Sequence, residues 1–172
     1  MDWNECNFKK LVKNIKKDTE LIKSLSESSY NKLTSEELLT LNETTCSSKI
    51  SLAYDSLREL LEALALEQGY KIYNHECYTP FLKEILKEVF LSDEFDEIRK
   101  IRNQVNYYAK KINIEETNDI ILKIKELRNN LINKYPTLNF SSDQNGPIRK
   151  LIGILTKEEA DELKKNIKNI KW

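Results

Sequence analysis

The sequence predicts an all-α fold, an up-and-down helical bundle with a C-terminal helical appendage. Three observations predict it. Only three glycines and three prolines occur in 172 residues, and strand-rich folds need such residues for their turns. Apolar residues recur at i, i+3 and i+4 through most of the chain, the period of one helix face. Hydrophobic residues make up 40% and charged residues 33%, the balance of a globular chain long enough to bury one core.

Residues 3–25 read as a first helix, because Phe8, Leu11, Val12, Ile15 and Ile22 recur at helical spacing. Lysines between them form a solvated basic face. Thr34 and Glu37 have capping-box spacing, with Leu33 and Leu38 as the staple, so a short helix is expected to start there. Residues 45–68 give the strongest helix. Ile50, Ala53, Tyr54, Leu57, Leu60, Leu61 and Leu64 make one stripe, while Leu52, Ala63 and Leu66 fall on another side. A helix apolar on two sides is either central or shared with a second subunit, and a homodimer through this helix is expected. Gly69 ends it as a left-handed cap.

Thr79 and Pro80 fit the N-cap and first turn of the next helix, unless it opens nearer Asn74. Phe81, Ile85, Leu86 and Val89 line its inner face. A further helix begins at Ser92 or Asp93 and runs to about residue 112, and another spans 114–135 with Ile120, Ile121, Ile124, Leu127, Leu131 and Ile132 inside. The run PTLNFSSDQNGP has linker composition. The chain is thus read as a bundle over 1–135, a linker over 136–150 and a helical tail over 151–172, where Thr156 and Glu159 repeat the capping-box spacing.

The net charge is zero, which argues against attachment to nucleic acid by bulk charge and leaves room for a local basic patch. Cys6, Cys46 and Cys77 are far apart, with no CxxC, so free thiols in a reducing compartment are expected. MDWNECNFKK has no signal-peptide apolar core, and the cluster LIGIL is far too short to span a bilayer. A soluble cytoplasmic protein without a membrane partner is expected. Neither GxxxxGK[ST] nor GxGxxG occurs, so no phosphate-cradling loop of those kinds and no cofactor are expected. The single histidine, His75, excludes two-histidine zinc motifs. His75, Glu76 and Cys77 are sequence neighbours that point in different directions, so no metal site is expected there. The structural role of His75 or Asn74 is to open a helix.

Of five arginines against 23 lysines, two fall in IRKIRNQVNYYAKK, residues 98–111. At about 100° per residue, Ile98, Ile101, Val105, Tyr108, Ala109 and Ile112 form the core face, and Arg99, Arg102, Asn103, Asn106 and Lys110 an adjoining stripe. Arg102 lies at the core edge and Tyr107 points nearly opposite. An arginine at such an edge pairs with a buried carboxylate, binds an anion such as phosphate, or sits at a subunit seam. Glu59 and Glu62 are the natural carboxylate partners.

The segment AYDSLRELLEALALEQGYKIYNHECYTPFL followed by IRKIRNQVNYYAKKI resembles the HEPN superfamily, small helical bundles of prokaryotic toxin–antitoxin, CRISPR-linked and RNA-processing proteins. The resemblance covers residues 49–134. It rests on Ala53, Tyr54 and Leu57 followed by Gly69 and Tyr70, and on Arg102–Asn103 within an RNxxNYY stretch. The family's motif histidine would fall at Tyr107, Tyr108 or Ala109, and none is histidine. A tyrosine near its ordinary pKa of about 10 is a poor base at neutral pH. The resemblance therefore implies a noncatalytic or catalytically weakened module that binds RNA, a nucleotide or a protein partner, such as a nucleotidyltransferase of a toxin–antitoxin pair. Its anion-binding set is Arg99, Arg102, Asn103, Asn106 and Lys110. One alternative is a metal-independent endoribonuclease toxin using Arg102, Asn106 and Tyr107 at a dimer seam. Another is a structural homodimer in which Arg102 closes an internal salt bridge.

Overall fold

The computed structural model describes residues 1–107 and 111–139. The expected tail over 151–172 and most of the expected linker lie outside them. The described chain is mostly helical. Its elements are α1 (Trp3–Phe8), β1 (Val12–Asn14), α2 (Thr19–Leu38), α3 (Cys46–Glu67), β2 (Tyr70–Ile72), a 3-10 turn (His75–Cys77), α4 (Tyr78–Pro80), a π-helical turn (Phe81–Ile85), α5 (Val89–Tyr107), α6 (Ile114–Lys134) and a closing 3-10 turn (Pro136–Leu138).

Helix α3 is the centre of the bundle, packed by α2, α5, α6 and β2. Side-chain pairs set the directions. Ser29 meets Ser56 and Lys17 meets Glu67, so α2 and α3 are antiparallel. Ser51 meets Asn106 while Tyr54 meets Arg102, so α5 returns along α3. Lys123 meets Glu97 and Lys134 meets Glu88, so α6 runs back along α5. The four long helices are therefore up, down, up and down. Ala53, Tyr54, Leu57, Leu60 and Leu61 on one side of α3, and Ala63 and Leu66 on the other, are all buried within this single chain, and Leu52 is half-buried. Of the two explanations for a two-faced apolar helix, the central position holds. The homodimer expected through α3 thus loses the apolar surface that suggested it.

The N-terminal quarter departs from the sequence reading. Residues 3–25 do not form one helix. Asp2 and Glu5 close a capping box on the six-residue α1. Lys10 then adopts φ 56°, a left-handed conformation that ends it. Val12–Asn14 pairs antiparallel with β2, Val12 opposite Ile72 and Asn14 opposite Tyr70. Leu11 and Val12 thus reach the core from an extended segment, while Phe8, placed on the inner face by helical spacing, is 88% exposed. Helix α2 starts where the Asp18 side chain accepts from the Leu21 amide at 3.0 Å, and it runs straight through Thr34. The capping-box spacing at Thr34 and Glu37 begins no helix, because intrahelical bonding and packing on α3 already hold that segment.

The boundaries of α3 and α6 agree with the sequence, and Gly69 has φ 85°. The helix expected from Thr79 opens nearer Asn74, whose side chain accepts from the Glu76 amide at 2.9 Å. Its π-helical turn buries Phe81 and Leu82, while Val89, placed on its inner face by the sequence, opens α5 instead and is exposed. Lys87, at φ 62°, separates it from α5. Pro136–Leu138 folds onto the bundle, with Leu138 buried.

Arg128 of α6 is buried between α2 and α3. Its Nη1 donates to Ser29 Oγ at 2.6 Å and to the Ser56 carbonyl at 3.1 Å. Burial lowers its pKa to about 10, with Glu37 pulling the other way, so it stays cationic at neutral pH. Ser29 also donates to the Ser56 carbonyl at 2.6 Å, a bond that survives without the arginine. Arg128→Met removes a desolvated charge and keeps most of the volume. It is expected to shift stability by no more than about 1 kcal/mol, in either direction. Arg128→Ala leaves a cavity and should cost about 2–3 kcal/mol. Equal losses for the two variants in urea denaturation would contradict this account.

Candidate functional site

Helix α5 turns Phe95, Ile98 and Val105 into the core, which leaves Arg102 half-buried at the edge of that face. Its guanidinium carbon stands 5.1 Å from the centroid of the Tyr54 ring and 5.3 Å from that of Tyr107. Nη1 donates to the Tyr107 hydroxyl at 3.0 Å and weakly to Asn103 Oδ1 at 3.4 Å. Nε is buried and, among the described residues, has no hydrogen-bond partner. Among the described residues no carboxylate pairs with Arg102. The two natural partners are committed elsewhere: Glu59 to Lys32 and Arg58, and Glu62 to Arg58 and Lys71. The internal salt bridge required by the structural-homodimer alternative therefore does not form with either.

Arg102, Arg99, Asn103 and Tyr107 form one wall of a pocket of about 340 Å³, and Tyr73, Asn74, His75 and Glu76 form the other. The second wall follows from the chain's path. Gly69 turns α3 into β2, the ribbon with β1 fixes β2, and Asn74 caps the 3-10 turn that presents His75 and Glu76. The His75 ring lies 6.2 Å from that of Tyr54. Burial lowers the His75 pKa, and the positive charges of Arg58 and Arg102 lower it further, so the imidazole is neutral at pH 7. Tyr54, fully buried, packs its ring behind both Arg102 and His75. Burial pushes its pKa up to about 12 against the pull of Arg102, Arg99 and Arg58, and among the described residues its hydroxyl has no hydrogen-bond partner.

The structure sorts the expected anion-binding residues. Arg99, Arg102 and Asn103 come together in the pocket. Arg99 is already engaged by Asp96, through Nη2 at 2.7 Å and Nε at 3.1 Å. Lys100 meets the other oxygen of Asp96 at 2.7 Å. Burial would raise the Asp96 pKa, but the hydrogen bonds from Lys100 and Arg99 outweigh it and hold the carboxyl below its usual range. A carboxylate just before the basic stretch thus offsets its charge. Asn106 turns away from the pocket and accepts from Ser51 Oγ at 3.1 Å. Tyr107 stays 70% exposed at the rim. Lys110 lies outside the described residues.

Sequence reasoning left the whole second wall, Tyr73, Asn74, His75 and Glu76, out of the site, and His75 is its titratable imidazole. It stands 27 positions before Arg102, and only the β1–β2 ribbon and the return of α5 along α3 bring the two to one pocket. The trio His75, Glu76 and Cys77 does not act as a unit, since Cys77 is joined to Cys6 in a disulfide. That bond also departs from the free thiols expected for all three cysteines; Cys46 alone is free. The reason is spatial: α1 lies beside the 3-10 turn, which brings together two cysteines 71 positions apart. Among the described residues no cluster of His, Cys, Asp or Glu is placed to hold a metal ion. No helix there is long and apolar enough to cross a membrane. Compared with protein-family models, curated proteins and solved structures, the chain matches none.

Proposed function

We propose that this chain is a HEPN-like helical module that binds RNA or a nucleotide in the Arg102 pocket without efficient catalysis. One observation carries the reading. The Arg102 charge is held in place by two tyrosine rings, and among the described residues it meets no carboxylate. An arginine held in this way, with no carboxylate to neutralise it, keeps its charge for a phosphate. The other linings favour a nucleotide over a bare anion. Tyr73 and Tyr107 are exposed aromatics at the rim, suited to stacking a base. Glu76 and the two asparagines supply acceptors for base or ribose donors. The volume is at the small end of the ~300–1,000 Å³ range of small-ligand pockets.

Arg102→Ala tests the reading. Binding of a short fluorescent single-stranded RNA is expected to weaken with rising salt and to be lost in the variant. Stability should fall by only about 1–2 kcal/mol, the scale of two cation–π contacts. Unchanged RNA affinity in a folded Arg102→Ala protein would reject the pocket as the binding site.

A second reading, a metal-independent endoribonuclease, is favoured by the neutral His75 on the pocket wall, a proton acceptor that Tyr107 cannot replace. Asn106, turned toward Ser51, has no part in this version. RNA cleavage in the presence of a chelator, abolished by both Arg102→Ala and His75→Ala, would establish it. A protein partner such as a nucleotidyltransferase or antitoxin follows from the family resemblance alone, and the buried face of α3 lends a homodimer no support.

A further inference from the structure

We infer that the Cys6–Cys77 disulfide is a redox clasp on the wall of the Arg102 pocket. The inference rests on the proposed nucleotide-binding reading for its consequence, though not for the clasp itself. Cys77 ends the 3-10 turn that places Asn74, His75 and Glu76 along the pocket. Its disulfide ties that turn to α1, across 71 positions of chain. A helix of six residues has little stability alone, so what holds α1 also decides how firmly the turn is held. Besides the disulfide, α1 is anchored by the Trp3 amide, which donates to Glu84 at 3.1 Å, and by the Trp3 ring packed against Tyr70 and Phe81.

The switch is a thiol–disulfide exchange. A dithiol reductant attacks the Cys6–Cys77 bond and passes through a mixed disulfide. It leaves two protein thiols and its own disulfide, a transfer of two electrons and two protons. Both sulfurs are fully buried, so exchange requires α1 to lift first. In a reducing compartment a bond like this is set by the local dithiol poise. Once reduced, the turn keeps its Asn74 cap and the ribbon but loses its tie to α1, and the wall facing Arg102 loosens.

The full-length chain is compared in oxidised form, after reduction with dithiothreitol, and after re-oxidation. Alkylation of the denatured protein should count one thiol, that of Cys46, in the oxidised form and three in the reduced form. Amide exchange across residues 70–78 should quicken about tenfold on reduction and slow again on re-oxidation. RNA affinity should fall and recover in step. All three forms are compared below the melting temperature of the reduced chain, and the Cys6→Val/Cys77→Ala pair, which refills the buried space with apolar atoms, repeats the reduced measurement without reductant. Three thiols under oxidised glutathione would overturn the proposal. So would unchanged exchange at 70–78, or faster exchange with unaltered RNA affinity. Failure of both redox forms to bind RNA would reject the nucleotide-binding reading and the control of binding with it, while the exchange data would still judge the clasp.

Discussion

Lys49→Met is expected to lose about 3–5 kcal/mol of folding stability, near the lower end because one partner cation remains. Lys49 is only 6% exposed and Glu36 only 2%. The ammonium lies 2.7 Å from Glu36 Oε1, and it also donates to the Leu39 carbonyl at 2.8 Å and to the Glu36 carbonyl. One side chain therefore neutralises a buried carboxylate and satisfies two carbonyls at the C-terminal end of α2, where the helix dipole favours a cation. Removing it leaves Glu36 with Lys125 alone, at 3.1 Å on the other oxygen. Against a total stability of about 5–15 kcal/mol, that is a large fraction. Urea denaturation should show a lower midpoint with an unchanged slope. Replacing Glu36 as well, in Lys49→Met/Glu36→Gln, should recover part of the loss, since the stranded charge is then gone. A single-variant loss below about 1 kcal/mol would mean that the ion pair is solvated.

Opening the Cys6–Cys77 bond is expected to cost about 4 kcal/mol. The value follows from the entropy regained by an unfolded chain freed of a cross-link across 71 positions. Measured as a melting temperature with and without a phosphine reductant, the drop should be about 10 °C. The Cys6→Val/Cys77→Ala pair should melt close to the reduced protein and be indifferent to the reductant. An identical melting point for oxidised and reduced protein would show that the native state does not depend on the link.

What could be read from the sequence follows from what fixes each element. Helices α3 and α6 are set by long runs of helical period and by local caps, so their limits fall within a residue or two of expectation. The break after α1 could not be read this way. It depends on Lys10 and the ribbon with β2, and no glycine announces the left-handed residue. Lys87 hides the second such break for the same reason. At the site, the stretch containing Arg102 was legible because its residues lie on one helix. The destinations of Glu59 and Glu62 were not, because Lys32 on α2 and Lys71 on β2 reach them across the fold and Arg58 is shared between them. His75 was invisible because its pocket neighbours are joined by tertiary register rather than by spacing.

The ribbon also constrains the order in which the protein is built. Val12 pairs with Ile72, about 60 residues later, whereas α2 and α3 are neighbours along the chain and can zip together early. During synthesis Trp3, Cys6 and Val12 emerge about 60 to 80 residues before their partners. Until Ile72, Cys77 and Glu84 have been made, this segment offers an unpaired strand edge and a free thiol to whatever is nearby.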